Sequence, residues 1–144
     1  MADTLSPEER SDRMRRIRGF DTGPELMVRR YLHARGLRYR LHDGVLPGRP
    51  DLVLPKHGVV VFVHGCFWHA HRCQKGRIPD TRSQFWKEKL ESNRRRDARN
   101  ATSLRRLGWR VLTVWECSLS TTSRSARALD TLVRKILAGT PASP

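Results

Sequence analysis

The run Asp51-Leu52-Val53-Leu54-Pro55-Lys56-His57-Gly58-Val59-Val60-Val61-Phe62-Val63 decides the fold. Two short apolar segments flank the turn signal Pro55 to Gly58 and read as a β-hairpin. The second segment lacks any polar alternation, so it is buried on both faces and is the central strand of a sheet. Upstream, Pro47, Gly48 and Pro50 make a turn ahead of Asp51, and Leu37 to Leu41 alternates apolar with basic residues as a half-exposed strand does. Before that strand, Thr22-Gly23-Pro24-Glu25 carries an N-cap, a first-turn proline and an acid at the positive end of the dipole, predicting a helix that continues to Gly36.

Downstream, no Gly or Pro interrupts Ser83 to Leu107, which predicts a long helix. Its inner face runs through Trp86, Leu90, Asn93, Asp97, Ala101 and Leu104 at steps of three and four, with two polar residues where apolar ones belong. Trp109 to Trp115 reads as another apolar strand, and Ala126 to Leu137 as an amphipathic helix on Leu129, Leu132, Val133 and Ile136. A short basic helix is expected over residues 6 to 18, begun by Ser6-Pro7-Glu8-Glu9. Helices alternating with strands around a central apolar one imply a layered α/β domain with a mixed sheet. The chain of 144 residues needs only one such domain. Residues 1–20 form a basic arm and 21–140 the domain proper.

The formal charge of +15, with Arg far outnumbering Lys, points to a polyanion, because guanidinium pairs with phosphate bidentately and stacks on bases. The basic residues are spread along the whole chain, which argues against a membrane-surface helix. The acidic, polar start MADTLSPEERSD has no apolar segment to serve as a signal or span, so a cytoplasmic location is expected. Three cysteines in a reducing compartment favour metal ligation, although a buried free thiol would also fit.

Chemistry concentrates in the twelve residues Phe62-Val63-His64-Gly65-Cys66-Phe67-Trp68-His69-Ala70-His71-Arg72-Cys73. Cys66, His71 and Cys73, with Cys117 after the last strand, make a tetrahedral zinc set of three thiolates and an imidazole. The competing reading has Cys66 and Cys117 as small core residues and His71 exposed. Asp51 at a strand start suits a Mg²⁺ ligand, or the side-chain acceptor of a turn. His64 and His69 are candidates for a general base, His69 alternatively packing beside Trp68 or stacking on a nucleobase. Glu25 and Asp97 are the acids able to orient them; Glu25 also completes a capping box with Thr22. Phe67-Trp68 can wedge between base pairs or simply cover the zinc, and Met14 is a second wedge or an ordinary packed residue.

Met14-Arg15, Asp21-Thr22-x-x-Glu25, Leu46-Pro47-Gly48-Arg49-Pro50-Asp51, His64-Gly65-Cys66-Phe67-Trp68-His69, Phe85-Trp86, Gly108-Trp109-Arg110-Val111-Leu112 and Trp115-Glu116-Cys117 together resemble the very short patch repair (Vsr) mismatch endonucleases. The resemblance spans residues 11 to 118. It implies a restriction-endonuclease-like, three-layer α/β fold with a mixed central sheet between helices and a structural zinc site. The implied activity is a Mg²⁺-dependent nick beside the thymine of T:G mismatches that arise by deamination of 5-methylcytosine. The implied partners are mismatched double-stranded DNA and a MutL-type repair protein, and the implied acting unit is a monomer near the bacterial nucleoid.

By the same resemblance Asp51 holds Mg²⁺, His69 is the general base, His64 is a second active-site imidazole, and Glu25 and Asp97 support them. Cys66, His71, Cys73 and Cys117 hold Zn²⁺; Phe67, Trp68 and Met14 intercalate; Lys89 and Asn93 contact bases, which would explain the polar break at Asn93. Val63 departs from the family's usual Thr, so Mg²⁺ ligation there must use its backbone carbonyl. Ala70 stands where another His is common. The rival readings are a site-specific nuclease acting on paired DNA and a non-catalytic, zinc-stabilised nucleic-acid-binding protein.

Overall fold

The computed structural model describes residues 22–69, 71–73 and 77–139. The helix expected over 6–18, the arm 1–20 and Met14 lie outside the described residues. Helix α1 (Gly23–Ala34) is capped by Thr22, whose Oγ1 accepts from the Glu25 N–H at 3.3 Å. It is followed by β1 (Arg40–Leu41), β2 (Leu52–Leu54), a 3₁₀ turn over Pro55–His57, and β3 (Val59–His64). The long helix α2 (Ser83–Arg106), β4 (Arg110–Trp115), a second 3₁₀ turn over Glu116–Leu119 and α3 (Thr122–Ala138) complete the order.

The described sheet runs β1-β2-β3-β4, with the first two pairings antiparallel and the last parallel. Leu52 lies opposite Val61 in the hairpin, and His64 opposite Trp115 across the parallel pair. The hairpin turn closes on Gly58 in the left-handed region (φ +66°), where a side chain would be strained. A parallel partner needs a crossover, and α2 supplies it.

Alternate residues of the strands feed two cores. Leu52, Leu54, Val59, Val61 and Val114 pack with Val28 and Leu32 of α1 and with Leu129, Leu132, Val133 and Ile136 of α3. On the other face Val53 and Val60 meet Leu104 of α2, with Leu46, Phe62, Trp109 and Val111 around them. Three layers result, α1 and α3, the sheet, and α2, as the mixed α/β expectation requires. The Leu37–Leu41 alternation shrinks to a two-residue strand, because β2 offers only three residues for pairing. α3 begins earlier than its apolar spacing suggested, since Thr121 caps it by accepting from the Arg124 N–H at 3.1 Å.

Candidate active site and adjoining thiol cluster

A cleft of about 420 Å³ opens at the carboxyl end of β3, bounded by α1, the turn before β2 and the inner face of α2. Asp51, Val63, His64, His69, Glu25, Asp97, Trp68 and Asn93 all line it. Asp51 stands one residue before β2, just past the last rung of the hairpin. Its Oδ2 accepts the Val63 N–H at 2.7 Å. In an extended strand the N–H and C=O of one residue project to the same side, so the Val63 carbonyl also faces Asp51 and is beyond the β2 ladder. Burial pushes the Asp51 carboxyl up to about 6, against the lowering effect of the Val63 N–H; the neighbouring Glu25 adds to the rise. A buried acid held this way ionises more readily when a cation lies against it.

His64, the last residue of β3, and His69, five residues on, are stacked with ring centroids 3.7 Å apart and planes 4° from parallel. The His69 Nδ1–H donates to Asp97 Oδ2 at 2.5 Å, which leaves Nε2 as the proton-accepting atom. Burial and the adjoining His69 drive the His64 imidazole down to about 3, so it is neutral at physiological pH. Among the described residues its Nδ1 is buried without a hydrogen-bond partner.

Glu25, only 2% exposed, lies elsewhere in the cleft: its Oε1 is 2.5 Å from His42 Nε2 and 3.0 Å from Arg29 Nη2. Its carboxylate is thus engaged by His42 and Arg29, while Asp97 is the acid that meets the stacked pair. His42 was absent from the sequence-derived candidates. It sits at φ +50°, its N–H donates to the Asp51 carbonyl at 3.2 Å, and the side chains of Glu25, His42 and Asp51 bring one ligand atom each within 4.8 Å of one another. The only sequence cue was a histidine directly before the Asp43-Gly44 turn.

Asn93 is 9% exposed, and its amide donates to the Trp68 carbonyl at 3.0 Å. The polar break in α2 therefore has a structural occupant, the backbone of the aromatic segment. Phe67, Trp68 and Trp86 meet edge to face, centroids 5.0 to 5.9 Å apart, with Phe85 beyond Trp86. Lys89 is half-buried on α2. Exposed Arg94, Arg95, Arg96 and Arg99 lie along that helix, with Arg96 on the wall of the cleft.

Behind the cleft, Cys66, His71, Cys73 and Cys117 each place one ligand atom within 4.8 Å of the others. The Cys117 N–H donates to Cys66 Sγ at 3.4 Å, and Cys117 Sγ lies 3.5 Å from His71 Nδ1. The His71 ring stacks on Trp115 at 4.1 Å. Burial pushes the Cys66 thiol up to about 12, and the neighbouring thiols add to the rise. Packing three thiols and an imidazole so closely is the donor chemistry of a tetrahedral soft-metal site, in which a cation would turn that penalty into ligation.

The model of the DNA mismatch endonuclease Vsr family matches residues 2–75, which include Asp51, the histidine pair and three members of the thiol cluster. The DNA mismatch endonuclease Vsr of Escherichia coli is 47% identical over 119 residues, 83% of this chain and 76% of that protein. The chain belongs to the Vsr family. It is a DNA endonuclease of the mismatch-repair type. Other relatives align over nearly the whole chain. The type II nicking enzyme V.XorIIP of Xanthomonas oryzae pv. oryzae is 47% identical over 95% of this chain and 98% of its own length. V.NmeAIP of Neisseria meningitidis is 43% identical over 94% and 97%. Among the described residues of this Vsr-family chain, no helix is long and apolar enough to cross a membrane.

Proposed function

We propose that the chain nicks one strand of duplex DNA beside the thymine of a T:G mismatch by Mg²⁺-dependent phosphodiester hydrolysis. The observation that carries this reading is the stacked His64–His69 pair, backed by Asp97 and opening on the same cleft as Asp51. Asp51 and the Val63 carbonyl would hold Mg²⁺, which would supply charge neutralisation at the scissile phosphate. His69 Nε2 accepts a proton from the attacking water, and Asp97 keeps the His69 Nδ1–H in place. His64, neutral, covers the other face of the His69 ring and keeps it from turning. Glu25, fastened by His42 and Arg29, adds negative charge beside Asp51.

Cys66, His71, Cys73 and Cys117 would hold structural Zn²⁺, a role in which four protein ligands would leave no place for substrate. Phe67 and Trp68 enter the base stack, with Met14 as a second wedge, and Lys89 and Asn93 meet base edges. The three layers, with Asp51 at the start of an inner strand of a mixed sheet, support a restriction-endonuclease-like fold. The reading assigns the work to a monomer in the bacterial cytoplasm, at the nucleoid, with a MutL-type partner.

The test uses duplexes of one sequence, either matched or with a T:G pair, with Mg²⁺ and with chelator. Wild type should nick the mismatched strand only when Mg²⁺ is present, and Asp51→Ala and His69→Ala should be inactive yet folded and zinc-loaded. Equal cutting of the matched duplex would favour a site-specific nuclease acting on paired DNA. Full activity in either variant would remove that residue from the mechanism.

A further inference from the structure

The groove between β4 and α3 has no part in the reaction above. It holds about 650 Å³. β4 ends the sheet order, so among the described residues no strand pairs with its outer side. The Arg110 N–H donates to the Gly58 carbonyl at 2.8 Å, which sets the phase of the parallel ladder: Arg110, Leu112 and Val114 turn their backbone groups toward β3. Val111 and Thr113 therefore turn their N–H and C=O outward, as an open template for one more strand.

Across the groove, α3 presents Arg124, Arg127 and Lys135. Spacings of three and eight residues place all three on one helix face, with Thr131 between them. No acidic residue lines the groove, and none of the three cations makes an ion pair among the described residues. From Arg124 to Lys135 the helix rises about 16 Å, the length of an extended peptide of about five residues.

We propose that this groove binds an extended, acidic segment of a partner protein, which adds to the sheet beside β4. Its backbone pairs with Val111 and Thr113, and acidic side chains at every second position all face the α3 cations. Apolar Leu112, Val114 and Leu132 wall the groove and limit the competition of water for those backbone bonds. Duplex DNA would satisfy the cations but has no strand backbone for the open edge.

The probe is a labelled eight-residue peptide alternating Glu with Val, titrated by fluorescence anisotropy against the full chain. It should bind, whereas its Lys-for-Glu counterpart should not, and a version with Pro in place of the central Val residues should bind at least about tenfold more weakly. Arg124→Gln with Arg127→Gln should weaken binding about tenfold, the effect of losing two charge contacts. Thr113→Pro removes an outward N–H without breaking a ladder bond and should weaken it similarly, while mismatch nicking stays at the wild-type rate. The proposal fails if the acidic peptide does not bind, or if it binds equally to wild type and to the Arg double variant. It also fails if those substitutions lower affinity for matched duplex DNA and leave peptide affinity unchanged.

Discussion

Asp97 faces inward from the middle of a basic helix because His69 is there to receive it. An inward carboxylate without a partner is expensive to bury, so its position on the apolar face of the sequence already implies one. The pair makes a testable unit. Asp97→Asn keeps the shape but weakens the hold on the Nδ1 proton, and single-turnover nicking should fall about 10- to 100-fold. Combined with His69→Ala it should add little further loss, since both substitutions disable the same base.

Asp51 yields a pH prediction. Its carboxyl keeps a proton up to about pH 6 in the folded, metal-free protein, against the ordinary value of 3.8. The fold therefore loses stability as pH rises through that window, and an ion that binds the carboxylate must displace the proton. The Mg²⁺ concentration for half-maximal nicking should fall about tenfold per pH unit below pH 6 and level off above it. A flat dependence from pH 5 to 7 would detach Asp51 from the metal. His64 has the opposite sign: with its folded value near 3, it favours the fold above about pH 6.5 and that contribution is lost as pH falls toward 3.

At the scale of elements, the turn that delivers Asp51 is pressed against α2. Gly48 has φ +76°, and a Cβ built there would stand 2.8 Å from the Asn100 Cβ. Gly48→Ala therefore has two faults, a disfavoured backbone conformation and a clash with a helix that lines the same cleft. It should cost at least about 1 kcal/mol by chemical denaturation and reduce nicking beyond what that loss explains. Wild-type behaviour on both counts would mean that the turn is free to move away from α2. The long helices are legible from their hydrophobic period and the central strand from its unbroken apolar run, both of which depend only on residues near in sequence. β1 was overread, because the extent of a strand depends on how many residues its neighbour can pair.

Across the whole molecule, Cys117 is brought to Cys66 over fifty positions by the parallel pairing of β3 with β4. The thiol cluster therefore ties the end of the sheet to the segment carrying His69 and Trp68. Metal removal at pH 7 should lower Tm by about 10 °C, as expected for a loss of roughly 3–5 kcal/mol in a domain of this size. Cys117→Ser should reproduce that drop, and a chelator should then have no further effect on it. An unchanged Tm after metal extraction would make the cluster a packed thiol core.

The motifs spread from Met14 to Cys117 carry the family resemblance, the run Phe62 to Cys73 with Asp51 and Cys117 holds the candidate ligands, and the apolar run before His64 marks the central strand. Ligand spacing, hydrophobic period and turn residues are local properties written directly in the chain. The division of labour among the acids was not local. Glu25 and Asp97 are both candidates to hold the histidines, Glu25 with a helix cap as its competing role, and packing places Asp97 against His69 and gives Glu25 to His42 and Arg29. The open edge of β4 likewise exists only once strand order is known. Which side chain meets which across layers depends on helix rotation and sheet register, and these are settled by the whole core at once.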